Sequence, residues 1–378
     1  MSFFVKANPR HFWIVGAIIL VIIITILLRR WAVYVEANKA EKSGDDTEKN
    51  LKIDHDHKPS TEISRSPSSA SDCSSNCCSI RTYALEELKV ATKEFKVQIG
   101  VGATSIVYLA EFQDGGFGAV KRVLEEKGGS QKIFLDEVSV LLRISHPNLV
   151  CLMGFCLEKG EQLLLLEYVP NKSLFDRMHT YQGQCSGILS WSNRLNIALD
   201  IARALDYLHC VADPPVIHRD VKSSNILLID DDHAKLADFG LCKLGSDAQS
   251  AYTPTAIKGS LGYVDTYYLN TGIVSPKCDV YSFGVLLLEL ITGLKSVQGS
   301  TTLAEWTEDC RRTENLDDLI GLLDPKLRGD MNQEQLRVLF DVANQALLQN
   351  FEARPDMAQI VYRISSCMEP QSQPELPV

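Results

Sequence analysis

The chain has 378 residues, 45% of them apolar, and a formal charge of −10. That is length for about two ordinary domains with a sizeable core, and the acid excess excludes the basic footprint of a nucleic-acid binder. Its eleven cysteines are odd in number and fall mostly one at a time in apolar or helical patterns, which suits free thiols in a reducing compartment and not a disulfide framework.

Residues 12–28 (FWIVGAIILVIIITILL) carry no charge. As a helix they span about 25 Å, slightly short of a ~30 Å hydrocarbon core. Trp13 and Trp31 suit the two interfaces, while Arg29 and Arg30 can snorkel and extend the effective length. Lys6 and Arg10 ahead of the run admit a cleaved signal peptide. Against that, the run is longer than a signal core, ends directly in two arginines and has no small-residue cleavage site close behind it. The expectation is an uncleaved single-pass anchor with residues 1–11 outside the cell. Positive charges on the two flanks do not by themselves settle the orientation.

Residues 29–80 are expected to form a juxtamembrane linker. From Asn38 on they are rich in Ser, Asp, Lys and Asn and nearly lack large apolar side chains, the composition of a disordered segment. Cys73, Cys77 and Cys78 lack the fourth ligand and spacing of a zinc site. Reversible palmitoylation and plain exposure are equally open for them. Residues 83–95 (YALEELKVATKEF) place Leu85, Leu88, Ala91, Thr92 and Phe95 near helical spacing, so 81–96 reads as a helical lead-in.

Residues 99–107 read IGVGATSIV. Gly100 and Gly102 let a backbone close over phosphates where a side chain would obstruct it, although a lone GxG also makes an ordinary hairpin turn. Downstream, Ala119-Val120-Lys121 is a strand delivering a lysine, residues 134–144 look helical and carry Glu137, and 163–166 form a buried strand run leading into Glu167-Tyr168-Val169. Residues 189–209 repeat Leu195, Ala198, Leu199, Ala202, Leu205 and Leu208 at helical intervals, a core-facing helix.

Residues 218–240 (HRDVKSSNILLIDDDHAKLADFG) set Asp220, Asn225 and Asp238 at fixed intervals. The apolar runs 226–229 and 234–237 are joined by a polar turn, the pattern of a hairpin. Folded back, it sets Asn225 beside Asp238, two oxygen ligands suited to Mg²⁺, with Asp220 just upstream to accept a proton from a hydroxyl. That constellation suits phosphoryl transfer. It resembles the catalytic loop and DFG motif of protein kinases. With the lead-in, the lysine strand and Asp279-Val280-Tyr281-Ser282-Phe283-Gly284, the stretch from Arg81 to Met368 resembles the plant receptor-like and Pelle-type kinases.

The resemblance implies an α+β, bilobal fold with a β-rich first lobe and a helical second lobe, the kinase domain running over 97–368 and a disordered tail over 369–378. It implies that Gly100, Gly102, Val107, Ala119, Lys121, Glu167, Val169 and Leu227 surround ATP, with Glu137 positioning Lys121. Asp220 becomes the base, Lys222 steadies charge on the transferred group, and Asn225 and Asp238 hold Mg²⁺. Lys222 is the pattern of serine/threonine kinases. Arg219 before the base implies an activation loop, 241–258, ordered by phosphate, with Ser250, Thr253 and Thr255 as candidates and Thr255 preferred. Ser260 stands where relatives have the threonine that contacts the base, and Asp279 is structural. Protein substrates and a co-receptor or other membrane kinase are the implied partners, with the kinase domain on the cytosolic side of the cell membrane.

Two departures stand out. Ser105 replaces a third glycine, and Asp265-Thr266-Tyr267-Tyr268 replaces D-P-E-Y, removing the glutamate that relatives pair with the arginine here numbered Arg354. The expectation is that Tyr267 accommodates Arg354 by stacking and a hydroxyl contact. These departures motivate the alternative reading, a pseudokinase scaffold that binds partners without transferring phosphate.

Overall fold

The computed structural model describes residues 80–124, 130–158, 160–180, 187–245, 254–313 and 315–369. The expected anchor at 12–28, the linker with its three cysteines, Ser250, Thr253 and the tail beyond Glu369 lie outside the described residues. Among the described residues no helix is long and apolar enough to cross a membrane.

The first half of the described chain contains β1 (Arg81–Thr82), α1 (Leu85–Ala91), β2 (Gln98–Val101), β3 (Ser105–Glu111), β4 (Phe117–Val123), α2 (Ser130–Leu141), β5 (Leu152–Glu158) and β6 (Glu161–Glu167). Its strands form a six-stranded sheet in the order β1-β5-β6-β4-β3-β2, antiparallel except where β1 joins β5 in parallel. Side chains alternate across a strand, and β6 uses both faces. Leu163 and Leu165 pack with Leu85, Leu88 and Ala91 of α1. Leu164 joins Phe134 and Val138 of α2 in the core that continues into the helical half.

The lead-in is not one helix. Residues 81–82 add a strand to the sheet, and a Cβ at Gly154 opposite them would collide with the Arg81 carbonyl and the Tyr83 ring. The helix stops at Ala91 because Lys93, Glu94 and Phe95 take left-handed backbone angles, φ 52°, 59° and 56°. Thr92 stitches this turn: its Oγ1 donates to the Leu88 carbonyl at 2.7 Å and accepts from the Phe95 amide at 3.2 Å. Phe95 still reaches the sheet, its ring 5.2 Å from that of Tyr108.

The second half is helical: α3 (Trp191–Asp206), β7 (Val216–Ile217), β8 (Ile226–Leu228), β9 (Ala234–Leu236), β10 (Lys243–Leu244), α4 (Thr266–Thr271), α5 (Pro276–Thr292), α6 (Leu303–Trp306), α7 (Glu308–Arg312), α8 (Leu316–Leu322), α9 (Gln333–Ala346) and α10 (Met357–Met368). The predicted helix over 189–209 is present, finishing in a π-helical turn at Tyr207–Val211. Every residue from Cys278 to Thr292 is buried, so α5 is a core helix on all sides. Pro276 at its first position and left-handed Gly293 after its last suit a helix start and stop.

Candidate active site

The hairpin of β8 and β9 forms as read, with Ile226 opposite Leu236 and Leu228 opposite Ala234. One further bond, from the Ala237 amide to the Asn225 carbonyl at 2.8 Å, fixes Asn225 next to the start of the Asp238 segment. Asp238 and Arg219 both sit at φ 65°. A non-glycine residue in that region is strained, and such strain collects at functional segments whose surroundings over-determine it.

Lys121 on β4 reaches both halves. Its Nζ donates to Glu137 Oε1 of α2 at 2.6 Å and to Asp238 Oδ1 at 2.8 Å. Burial alone would lower this ammonium, but the two carboxylates outweigh it and hold it above its ordinary range. Burial pushes the Glu137 carboxyl up even with the ammonium alongside. For Asp238 burial also pushes upward, and Lys121 overcomes it, bringing the carboxyl down to about 2. Gly240 permits this convergence, since a Cβ there would stand 3.3 Å from Glu137 Oε2 and 3.4 Å from Lys121 Nζ.

Asp220, Lys222, Asn225 and Ser260 form a second cluster. Lys222 Nζ donates to Asp220 Oδ2 and to Ser260 Oγ, both at 2.7 Å, and Ser260 Oγ donates to Asp220 Oδ1 at 2.7 Å. Asn225 Nδ2 donates to the Asp220 carbonyl at 2.9 Å and to Asp220 Oδ2 at 3.1 Å. The loop itself hangs on Asp279 of α5, which accepts from the amides of His218 and Arg219 at 2.8 Å and lies 2.9 Å from His209 Nε2. Burial raises the Asp279 carboxyl, and these bonds more than reverse it. Among the described residues, Oδ1 of Asn225 and Oδ2 of Asp238 accept no hydrogen bond. Two hard oxygen donors fit a small divalent cation that takes one or two protein ligands and completes its shell with water and phosphate.

The residues read as surrounding a nucleotide lie on or beside β2, β3, β4, β6 and β8. Gly100 pairs across from Val107, and Gly102 donates to the Ser105 carbonyl at 2.8 Å, so the glycine segment is a hairpin turn whose first return residue is the buried Ser105. Neither glycine is needed for lack of room within the protein itself, since added Cβ atoms would make only ordinary contacts at 3.4–3.5 Å. Ala119 pairs with Leu166. Glu167 is fixed from behind: its amide donates to the Cys151 carbonyl at 3.0 Å, and its carboxylate takes the Cys151 amide at 2.9 Å and Lys235 Nζ at 2.7 Å. Among the described residues the backbone N–H and C=O of buried Val169 have no backbone partner. Leu227, half-buried, lies on β8 opposite Lys235.

Arg354 departs from expectation. Its guanidinium is 2% exposed and grips Asp265 with two parallel bonds of 2.7 Å. It also donates to the carbonyls of Leu348 and Lys277 and lies over the Tyr281 ring, 5.1 Å from its centre. Tyr267 does not touch it; that ring stacks on Phe351 at 4.1 Å. The missing glutamate is replaced by the aspartate two residues earlier, which also caps α4 by accepting from the Tyr267 amide at 2.9 Å.

Thr255 is half-buried, its amide donating to the Gly272 carbonyl at 2.8 Å. It lines a cavity of about 410 Å³ together with Arg219, Lys243 and Lys258. Burial and the adjacent Arg219 lower the Lys258 ammonium, and Asp136, which lines the same cavity, only partly opposes them. Cys242 lines the same cavity with its thiol pushed up to about 12 by burial. Sequence reasoning missed Glu289, a fully buried carboxylate that takes Ser223 Oγ at 2.9 Å, lies 2.8 Å from His179 Nε2 and bonds the Tyr263 hydroxyl. A single acid inside LLLELIT was the available signal, because a buried charge demands partners.

A two-lobed fold whose lysine spans a helix glutamate and a DFG aspartate defines the class of protein kinases. The protein kinase domain family matches residues 93–363, and the chain belongs to it. It is 37% identical, over 77% of its length, to a probable receptor-like protein kinase of Arabidopsis thaliana, of which it covers 44%. It is 37% identical, over 75% of its length, to a probable receptor-like serine/threonine-protein kinase of that plant, covering 66% of it. With the Arabidopsis calmodulin-binding receptor-like cytoplasmic kinase 2 it shares 35% identity over 85% of its length, covering 79% of that protein. The chain spans less than half of the first of these relatives, and only 30% of a probable leucine-rich repeat receptor-like protein kinase of the same plant, to which it is 38% identical over 76% of its own length.

Proposed function

We propose that the chain is a membrane-anchored serine/threonine protein kinase that transfers the γ-phosphoryl group of ATP to protein hydroxyls on the cytosolic side. The observation that carries this reading is Lys121 bonded to both Glu137 and Asp238, with Asp220, Lys222, Asn225 and Ser260 tied together beside the same hairpin. In this reading Gly100, Gly102, Val107, Ala119, Leu227 and the backbone at Glu167 and Val169 hold the nucleotide, and Lys121 holds its phosphates. Asp220 orients the attacking hydroxyl and takes its proton. Lys222 neutralises charge growing on the transferred group, the kind of positioning and electrostatic work this chemistry needs. Asn225 and Asp238 would hold Mg²⁺, which supplies neutralisation of the phosphate oxygens when bound. The cluster of Arg219, Lys243 and Lys258 beside Thr255 suits a phosphorylated threonine held by a guanidinium, and Ser250 and Thr253 are the other candidate acceptors. Residues 12–28 anchor the chain, with a co-receptor or second membrane kinase as partner.

Autophosphorylation of the full chain with Mg²⁺ and ATP tests this. Asp220→Asn is expected to lose about 10²–10⁴-fold in rate, and the product should be phosphoserine and phosphothreonine. Signal equally absent from both proteins would favour the scaffold reading that Ser105 and Tyr267 suggest. Recovery of the chain in the soluble fraction after alkaline extraction of membranes would sink the anchor.

A further inference from the structure

The helical half contains a cavity of about 620 Å³ between α7, α8 and α9, lined by Arg311, Asn344, Leu319, Phe340, Leu347 and Leu348 among others. Its volume lies in the range of small-molecule pockets, roughly 300–1,000 Å³. Arg311 is 7% exposed, yet its hydrogen bonds go to neutral acceptors: Thr307 Oγ1 and the Ala304 carbonyl, both at 2.8 Å, and the Asn344 side-chain oxygen. No carboxylate among the described residues makes an ion pair with it. The acids nearby are engaged elsewhere, Glu308 with Arg312 and Asp341 with Arg363. Burial lowers this guanidinium. A buried cation without a counter-charge is costly, and here it borders an open volume.

We propose that this cavity binds an amphipathic organic monocarboxylate whose head group pairs with Arg311 and whose hydrocarbon body lies against Leu319, Phe340 and Leu347. The stoichiometry favours a carboxylate. A guanidinium has five N–H bonds; with Nε and one N–H on each terminal nitrogen engaged, one remains on each terminal nitrogen, matching the two oxygens of a planar carboxylate. Leu319, Phe340, Leu347 and Leu348 give a hydrocarbon body an apolar surface in a wall that also carries Glu308, Arg312, Arg337 and Asp341.

The test is calorimetric titration of the full chain with 4-phenylbutyrate, with 4-phenylbutanol and inorganic phosphate alongside. Asn344→Asp supplies the missing counter-charge from within the protein at nearly constant shape, so it should keep the fold and block the site. Saturable one-to-one binding of 4-phenylbutyrate is expected, weakened about tenfold or more in Asn344→Asp and about tenfold or more for the alcohol and for phosphate. Leu348→Trp, at a position 41% exposed, narrows the cavity without touching Arg311 and should give the same loss should Asn344→Asp melt early. Equal affinity for acid and alcohol overturns the proposal. So does competition by phosphate at similar concentration, unchanged affinity in both variants, or no saturation by about 10 mM.

Discussion

Arg354 shows how a single residue's needs can be met from an unexpected quarter. Its guanidinium is fully desolvated and satisfied on both terminal nitrogens by Asp265. Removing one member of such a pair strands the other charge, which costs about 3–5 kcal/mol. Asp265→Asn is therefore expected to destabilise by that amount in urea unfolding, and adding Arg354→Met should recover much of it. Tyr267→Glu, which restores the family pattern, should gain little, because the fork is already occupied. Asp238 gives a prediction with a sign. Its carboxyl is held at about 2 against an ordinary 3.8, so the folded state binds the proton less readily than the unfolded one. The stabilisation is complete above 3.8 and drains away as pH falls toward 2. Urea unfolding of the native protein and Asp238→Asn should thus differ most at pH 5 and converge near pH 2. No convergence would mean that Lys121 does not set this carboxyl. At this scale the motif residues were legible from spacing, because Lys121, Asp220, Asn225 and Asp238 carry their chemistry in their identities. The partner of Arg354 was not. Asp265 is 89 residues away, and nothing in the local pattern distinguishes a capping aspartate from one that also neutralises a buried charge.

Among the elements, the β8–β9 hairpin followed directly from two short apolar runs joined by a polar turn. The lead-in misled for a physical reason. Leu85, Leu88, Ala91 and Phe95 do share a buried or half-buried side, so helical spacing was present, but Phe95 reaches Tyr108 through a left-handed turn and not a further helical one. Three consecutive L-residues there are strained, at roughly 1–2 kcal/mol each. Glycine relieves that strain at the cost of a more flexible unfolded chain. Glu94→Gly, at an exposed position with no shift in packing to make, is expected to stabilise by up to about 1 kcal/mol in denaturant unfolding. A loss of stability instead would show that the turn is not strained. Length and caps were also only partly legible. The helix predicted over 134–144 runs instead from Ser130 to Leu141.

Across the whole molecule, the sheet half and the helical half share a core and are also joined by the Lys121 ammonium. Lys121 belongs to β4, Glu137 to α2 and Asp238 to the segment after the hairpin, and Lys121 is bonded to both acids. Two measurements follow on the full chain. Lys121→Met leaves the nearly fully buried Glu137 carboxylate unpaired and should destabilise by several kcal/mol. A non-hydrolysable ATP analogue with Mg²⁺ at about a hundred times its Kd should raise native stability by about 2.7 kcal/mol. That rise should persist in Asp220→Asn, since the proposed mechanism gives that acid to the hydroxyl and not to the nucleotide. It should fall sharply in Asp238→Asn, which loses the contact to Lys121 and, in the proposed mechanism, a charged oxygen of the cation site. An equal ligand-induced rise in all three proteins would place the nucleotide somewhere other than beside Lys121 and Asp238. The gap between the two variants therefore measures whether Asp238, the helical half's contact to Lys121, also serves the nucleotide and its cation.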